Sequence, residues 1–517
     1  MTQPGNLDLI ADVDVIVGVD IATMYLHADC RLSYARPMAT SRRGAARWCM
    51  AAALAAASCG EPGPGARPDS GDGTDAPPAR DAAVDAAAAA YTAMPPDCAD
   101  LADAIYQTPA GLPPLTPALR GDVVRCAQGP VVDAAAAAAQ ADEAGATIVA
   151  TTGVSVVKIA YRTVRGDGSP TITTATVWLP LVPRATPAPV ALIARSTSGI
   201  ADRCAPSHAP SPMPELGLPF AARGFVAIAP DFAGLGNDGV HAYLDNREAA
   251  TQLFDGVRAL RDLVGGVGEP ALALGYSQGG GVVLSAQALE HALTGGRHLR
   301  GVVAIAPEWP IRTGSFGYER VLRNPDQLTG TLGLAPPTVT VLRHYGWLAN
   351  RLGADRAGAS FPAAERADLI DEIESLCTVP LGGALGAQQP RARDLVDDGF
   401  RRAMLACLDG TAGCVEPARG FHAWMRADFL TADPAGARVL IVQGLGDQVM
   451  PAASEAACVA AKLTAEGVAP DVCSDTFATH DTILERKIEH GAAWAEAAAT
   501  GAPLPTCTTR TLPACAP

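Results

Sequence analysis

From about residue 150 the chain alternates two hydrophobic rhythms. Val154 to Tyr161 and Thr174 to Leu179 are rich in β-branched residues and predict two strands, an antiparallel start to a sheet. Four later runs, Val190 to Ala194, Phe225 to Ala229, Ala271 to Leu274 and Val302 to Ala306, are short and continuously apolar. Strands buried on both faces read this way, as in a parallel sheet wrapped by helices. Between them, Asp245 to Leu263 and Val282 to Leu293 are helix-compatible, and the first ends at Gly265-Gly266. Arg438 to Val442 and Val472 to Phe477 predict two last strands, Ala452 to Glu466 and Asp481 to Ala499 two last helices. Repeated strand–helix units imply a mostly parallel, doubly wound α/β sheet.

One interval breaks the rhythm. Residues 311–437 hold no strong strand but several helical patches, such as Ala363 to Cys377 and Asp394 to Leu408. An insertion at this point predicts a helical cap, or lid, over a substrate site. The expected core is then split into 98–310 and 438–517. Upstream, the Ala-rich stretches 82–90 and 134–139 favour helix, and 59–97 reads as a flexible Pro/Gly/Ala/Asp-rich tether. Residues 38–58 pair a basic start with the short apolar run Trp48 to Ala57, as a signal peptide does, and the run is too short to span a membrane. Ala56-Ala57-Ser58-Cys59 offers a lipoprotein-type cleavage site with Cys59 as the lipidated residue; an ordinary signal-peptidase site nearby is the alternative. Residues 1–37 would be an upstream extension.

Charge and cysteine usage narrow the function. A net charge of −15 over 517 residues excludes phosphate-neutralising chemistry, so no nucleic-acid partner is expected. Membrane contact is expected only through an N-terminal lipid. Of thirteen cysteines none forms a C-x-x-C pair, and ten lie downstream of Cys59, an even number that suits five disulfides in an exported protein. Local pairing is expected for Cys98–Cys126, Cys407–Cys414, Cys458–Cys473 and Cys507–Cys515. Cys204 and Cys377 would then tie two distant segments, although spacing alone does not fix connectivity. No cluster has metal-ligand spacing, and neither metal nor cofactor is expected.

The chemistry centres on Gly275-Tyr276-Ser277-Gln278-Gly279, between an apolar run and a predicted helix. G-x-S-x-G in that setting is the nucleophile elbow of the α/β-hydrolase fold. An un-ionised serine needs a base, an acid to orient the base, and donors for the oxyanion. In that fold the order is Ser, acid, His. Asp447, in the Gly-rich loop after Arg438 to Val442, is the expected acid, and His480, after the last strand, the expected base. His490 sits inside a predicted helix, and His422 precedes the acid. The backbone N–H of Gln278 is one expected oxyanion donor. The other comes from Arg195-Ser196-Thr197-Ser198-Gly199, with Thr197 preferred and Ser196 the alternate. Activity is expected to fall once acid protonates the imidazole.

Ser196-Thr197-Ser198-Gly199 followed by Cys204-Ala205-Pro206-Ser207 resembles the H-G-T-T-G … C-A-P-S region of the secretory lipase family, lipase A type. Phe220 to Gly236, the S-Q-G-G elbow within Gly275 to Gly281, and the acid loop Gln443 to Pro451 are similar to their counterparts there, so the resemblance runs over roughly 98–510. The departure is Arg195-Ser196, where the family has His-Gly. The resemblance implies that the C-A-P-S cysteine is tied to the cap, pairing Cys204 with Cys377 or a neighbour. It also implies that Asp255 and Arg258 brace the sheet. The expected function is an exported serine ester hydrolase, lipase or esterase, acting on a small-molecule or lipid ester through an acyl-enzyme. A serine peptidase of aminopeptidase kind and a non-catalytic envelope binding lipoprotein are the competing expectations.

Overall fold

The computed structural model describes residues 90–515, apart from 144, 209–215, 311–317, 328–334 and 510. The expected extension 1–37, the signal peptide 38–58, Cys59 and most of the tether lie outside the described residues. Within the last part of the expected tether 59–97, Tyr91 donates from its hydroxyl to Pro180 O at 2.8 Å and Thr92 N to Val264 O at 3.1 Å, so packed chain starts before residue 97.

Nine strands form one sheet in the order β1-β2-β3-β5-β4-β6-β7-β8-β9. They are β1 (Val123–Val132), β2 (Val154–Val164), β3 (Pro170–Pro180), β4 (Ala188–Ala194), β5 (Val226–Pro230), β6 (Val267–Tyr276), β7 (Gly301–Ile305), β8 (Arg438–Gly444) and β9 (Asp471–Asp475). The β1–β2, β2–β3 and β3–β5 pairs are antiparallel, and every pair from β5 through β9 is parallel. The apolar strands earn their continuity. In β4, Val190, Leu192 and Ala194 pack on one face with helices Asn246–Val264 and Gln278–Thr294, while Ala191 and Ile193 join the other face beneath helix His480–Thr500. Alternate side chains thus enter two separate cores.

The chain runs from β4 outward to β5 and then back across β4 to β6. This reversal opens a crevice at the C-terminal ends of β4 and β6, where ligands bind in open α/β sheets.

Between β7 and β8 the described residues form helices only, the longest being Ala335–Leu352, Thr378–Gln388 and Asp398–Leu408. Their apolar faces make a third core around Trp347, Phe400 and Phe421, which also takes in Ile200 and Ala242 to Leu244 from the sheet side. Among the described residues no helix is long and apolar enough to cross a membrane.

Among the described residues there are five disulfides. Cys98–Cys126, Cys204–Cys377 and Cys407–Cys414 pair as the sequence suggests. The expected Cys458–Cys473 and Cys507–Cys515 do not form: the structure joins Cys458 to Cys515 and Cys473 to Cys507. The reason is the C-terminal tail, which runs back along the open edge of β9, with Ser474 N donating to Thr509 O at 2.9 Å and Ser474 Oγ to Thr511 O at 3.0 Å. That route carries Cys507 to β9 and Cys515 on to the helix Ala456–Ala465, so sequence proximity loses to the tail's path.

Candidate active site

Ser277 stands between β6 and the helix Gln278–Thr294 with φ 56° and ψ −115°, a conformation costly for any residue with a Cβ. Its backbone is pinned on both sides: Ser277 N donates to Ile305 O at 2.9 Å, and Ser277 O accepts from Glu308 N at 3.2 Å. The turn is tight enough to demand glycine after it, since a Cβ on Gly279 would lie 2.0 Å from Ala194 O. The strain presents the hydroxyl above the sheet while leaving Ser277 only 8% exposed.

Opposite it, His480 is the first residue of its helix, capped by Thr479, whose side chain accepts from Thr482 N. His480 Nε2 lies 3.0 Å from Ser277 Oγ, and His480 Nδ1 lies 2.8 Å from Asp447 Oδ2. Tyr276 fixes the histidine's backbone, donating its hydroxyl to His480 O at 2.8 Å. Asp447 follows β8 and has no side-chain exposure. Its Oδ1 accepts from Val449 N at 2.8 Å and Met450 N at 2.7 Å, and its Oδ2 accepts from Gln443 Nε2 at 3.2 Å. A carboxylate so supplied with donors is held in one orientation, and so is the imidazole bonded to it. Ser277, His480 and Asp447 form one unbroken row. His490 is ten residues further along the same helix, about 15 Å away, and His422 sits on the insertion helix Ala418–Ala427.

The expected oxyanion residues flank the serine. Gln278 opens the helix, so its N–H has no partner within the helix. Thr197 and Ser196 follow β4, whose end, Ala194, is in register with Gly275 of β6. The 196–199 loop is tied down by Thr378 N donating to Ser198 O at 2.9 Å and by the Cys204–Cys377 bridge. Arg195 keeps clear of the serine. It continues the row of Ala191 and Ile193 and turns inward at 3% exposure, 3.4 Å from Asp231 Oδ1 and 3.1 Å from Thr176 Oγ1, with its guanidinium over the Trp178 ring. The bulk that replaces the family's His-Gly entry is therefore spent in the core. Asp255, which accepts from Arg120, Thr163 and Arg258, joins its helix to β2, away from the serine.

Sequence reasoning missed the residues that support this row. Tyr276 and Gln443 were legible as neighbours of the motifs. His241 and Tyr243 carried no signal at all. Tyr243 lies 2.9 Å by its hydroxyl from Thr197 Oγ1, and His241 Nε2 lies 3.1 Å from Gln278 Nε2. Burial, then the Arg165 charge, pushes the His241 imidazole down to about 3, so it is neutral and accepts from the amide. Burial also raises the phenols of Tyr243 and Tyr276 far above their usual range. Among the described residues one trio has metal-ligand proximity, Cys473, His490 and Cys507, but two of its sulfurs are joined to each other. A cavity of about 650 Å³, lined by Arg162, Arg165, Pro170, Val240 and Asn350, does not include the serine.

No family model matches the sequence, and no curated protein matches it. Solved structures do match in shape. Lipase A of Candida antarctica in its closed state is similar at a TM-score of 0.56 and 18% identity, over 82% of this chain and 91% of that chain. A mutant of the rice cell wall degrading esterase LipA from Xanthomonas oryzae gives 0.51 at 17% identity, over 71% and 93%. A Legionella pneumophila protein gives 0.54 at 16% identity, over 72% and 97%. The chain has the α/β-hydrolase fold. That bears out the resemblance read from the motifs as far as architecture goes. Within the α/β-hydrolase fold, Ser277, Asp447 and His480 stand after β6, β8 and β9, in the chain order Ser, acid, His.

Proposed function

We propose that the chain is an exported serine ester hydrolase, a lipase or esterase, working through an acyl-enzyme. The observation that carries the reading is the Ser277–His480–Asp447 hydrogen-bonded row on a strained elbow. His480 Nε2 takes the proton as Ser277 Oγ attacks the ester carbonyl, and Asp447 keeps the imidazole in the tautomer that can accept it. The backbone N–H groups of Gln278 and Thr197 stabilise the oxyanion. The proton passes to the departing alcohol, and water cleaves the acyl-enzyme by the same route in reverse. No step calls for a metal or cofactor. The helical insertion serves as the cap over the acyl group. Five disulfides favour an oxidising compartment, consistent with a signal peptide at 38–58 and a lipid on Cys59.

Ester chemistry is favoured over the peptidase alternative by the insertion. An aminopeptidase would hold a substrate N-terminus with acids aimed inward. Here Asp368, Asp371 and Glu374 are exposed, and Glu372 is engaged by Gln388 at 2.7 Å. Two of the proteins that share this chain's shape, from Candida antarctica and Xanthomonas oryzae, are a lipase and an esterase. The test is a panel of p-nitrophenyl esters and aminoacyl p-nitroanilides. Ester turnover with kcat/KM at least about 100-fold above any anilide is expected; a preference for anilides would overturn the ester reading while leaving the nucleophile in place.

A further inference from the structure

Both expected oxyanion donors are gripped by their side chains from one short segment. Tyr243 meets the Thr197 hydroxyl at 2.9 Å, and His241, two residues earlier, meets the Gln278 amide at 3.1 Å. Tyr243 N donates to His241 O at 2.9 Å, closing a tight turn at Ala242, and the two side chains flanking that turn reach the two donors. The segment is itself held by the insertion. Trp347 Nε1 donates to Tyr243 O at 2.6 Å and Asn350 Nδ2 to Val240 O at 3.3 Å, both from helix Ala335–Leu352. On the same helix Gly346 packs so closely that a Cβ there would lie 2.4 Å from His241 O and 3.2 Å from Tyr243 N. Arg351 anchors the segment's end by bonding Asp245, the cap of helix Asn246–Val264.

We infer that His241 and Tyr243 are positioning residues that set the oxyanion donors Gln278 and Thr197, and that helix Ala335–Leu352 of the insertion fixes them in place. The inference rests on the ester-hydrolase reading and adds a role for the insertion beyond covering substrate. An oxyanion hole works because its donors are placed before charge develops, and small displacements are costly. Neither His241 nor Tyr243 gives a proton to the substrate. Burial keeps His241 neutral, so it holds the Gln278 amide as a plain acceptor across the working pH range.

The test is a double-mutant cycle on p-nitrophenyl butyrate with Tyr243→Phe and Thr197→Val, which remove the two hydroxyls and keep the Thr197 N–H. Each single variant is expected to lose about tenfold in kcat with KM changed less than about twofold. Affinity for a trifluoromethyl ketone, which mimics the tetrahedral intermediate, should fall by the same factor as kcat/KM. The double variant should be no worse than either single, since both changes break one bond. Gly346→Ala, remote from substrate, should reproduce the kcat loss. Unchanged kcat in both singles, a change confined to KM, or multiplying losses of about 100-fold in the double variant would overturn the inference. A wild type with no Ser277-dependent ester turnover would instead overturn the underlying reading, so the two failures are distinguishable.

Discussion

Ser277→Ala is expected to lower kcat/KM for p-nitrophenyl esters by at least about 10⁴-fold, or about 5.5 kcal/mol of transition-state stabilisation. In the proposed mechanism the hydroxyl is the only group in the row that bonds to the acyl carbon, and His480 and Asp447 would raise its reactivity without being able to replace it. The residual rate would come from binding and from the oxyanion donors, which the substitution leaves in place. The side chain is small and its backbone is pinned by Ile305 O and Glu308 N, so the fold should survive. A circular-dichroism melt matching wild type, together with the lost rate, checks the prediction. Retained activity would remove Ser277 from the chemistry.

The second large effect is on stability. Cys204–Cys377 spans 173 residues, and Cys407–Cys414 only 7. Loop-closure entropy assigns about 5 kcal/mol to the long bridge and about 2 kcal/mol to the short one. The long bridge fastens the insertion helix Thr378–Gln388 to the loop after β4, where Gly199 pairs with Cys377. Replacing both Cys204 and Cys377 by Ser should therefore cost about 3–5 kcal/mol in urea unfolding, clearly more than the same change at Cys407 and Cys414. Equal costs would mean that the long bridge is worth no more than the short one, against the loop-closure expectation.

The elements that were plain in the sequence are those whose burial is complete. Val190 to Ala194 and Val302 to Ala306 read as strands because both faces are covered, and the observed β4 and β7 match them closely. β1 did not announce itself. It is an edge strand interrupted by Gly129-Pro130, with a register shift between Gln128 and Val131, so its polar and apolar residues never settle into alternation. β9 ends at Asp475 and not at Phe477, because Asp475 Oδ1 accepts from Phe477 N and Ala478 N and turns the chain. Ser277, Asp447 and His480 were legible because each follows a strand in a fixed order. His241 and Tyr243 were not, since their partners are fixed by the packing of a helix about 100 residues later. The exchanged disulfides have the same cause: the path of the tail along β9 is a tertiary choice that cysteine spacing does not record.

The most direct test of the account is acid-quench mass spectrometry of the enzyme during turnover of a p-nitrophenyl ester. An acyl group on the Ser277 peptide, forming at the rate of a p-nitrophenolate burst and absent in Ser277→Ala, is the predicted result. Steady turnover with no adduct, or an adduct on another residue that persists in Ser277→Ala, would contradict it.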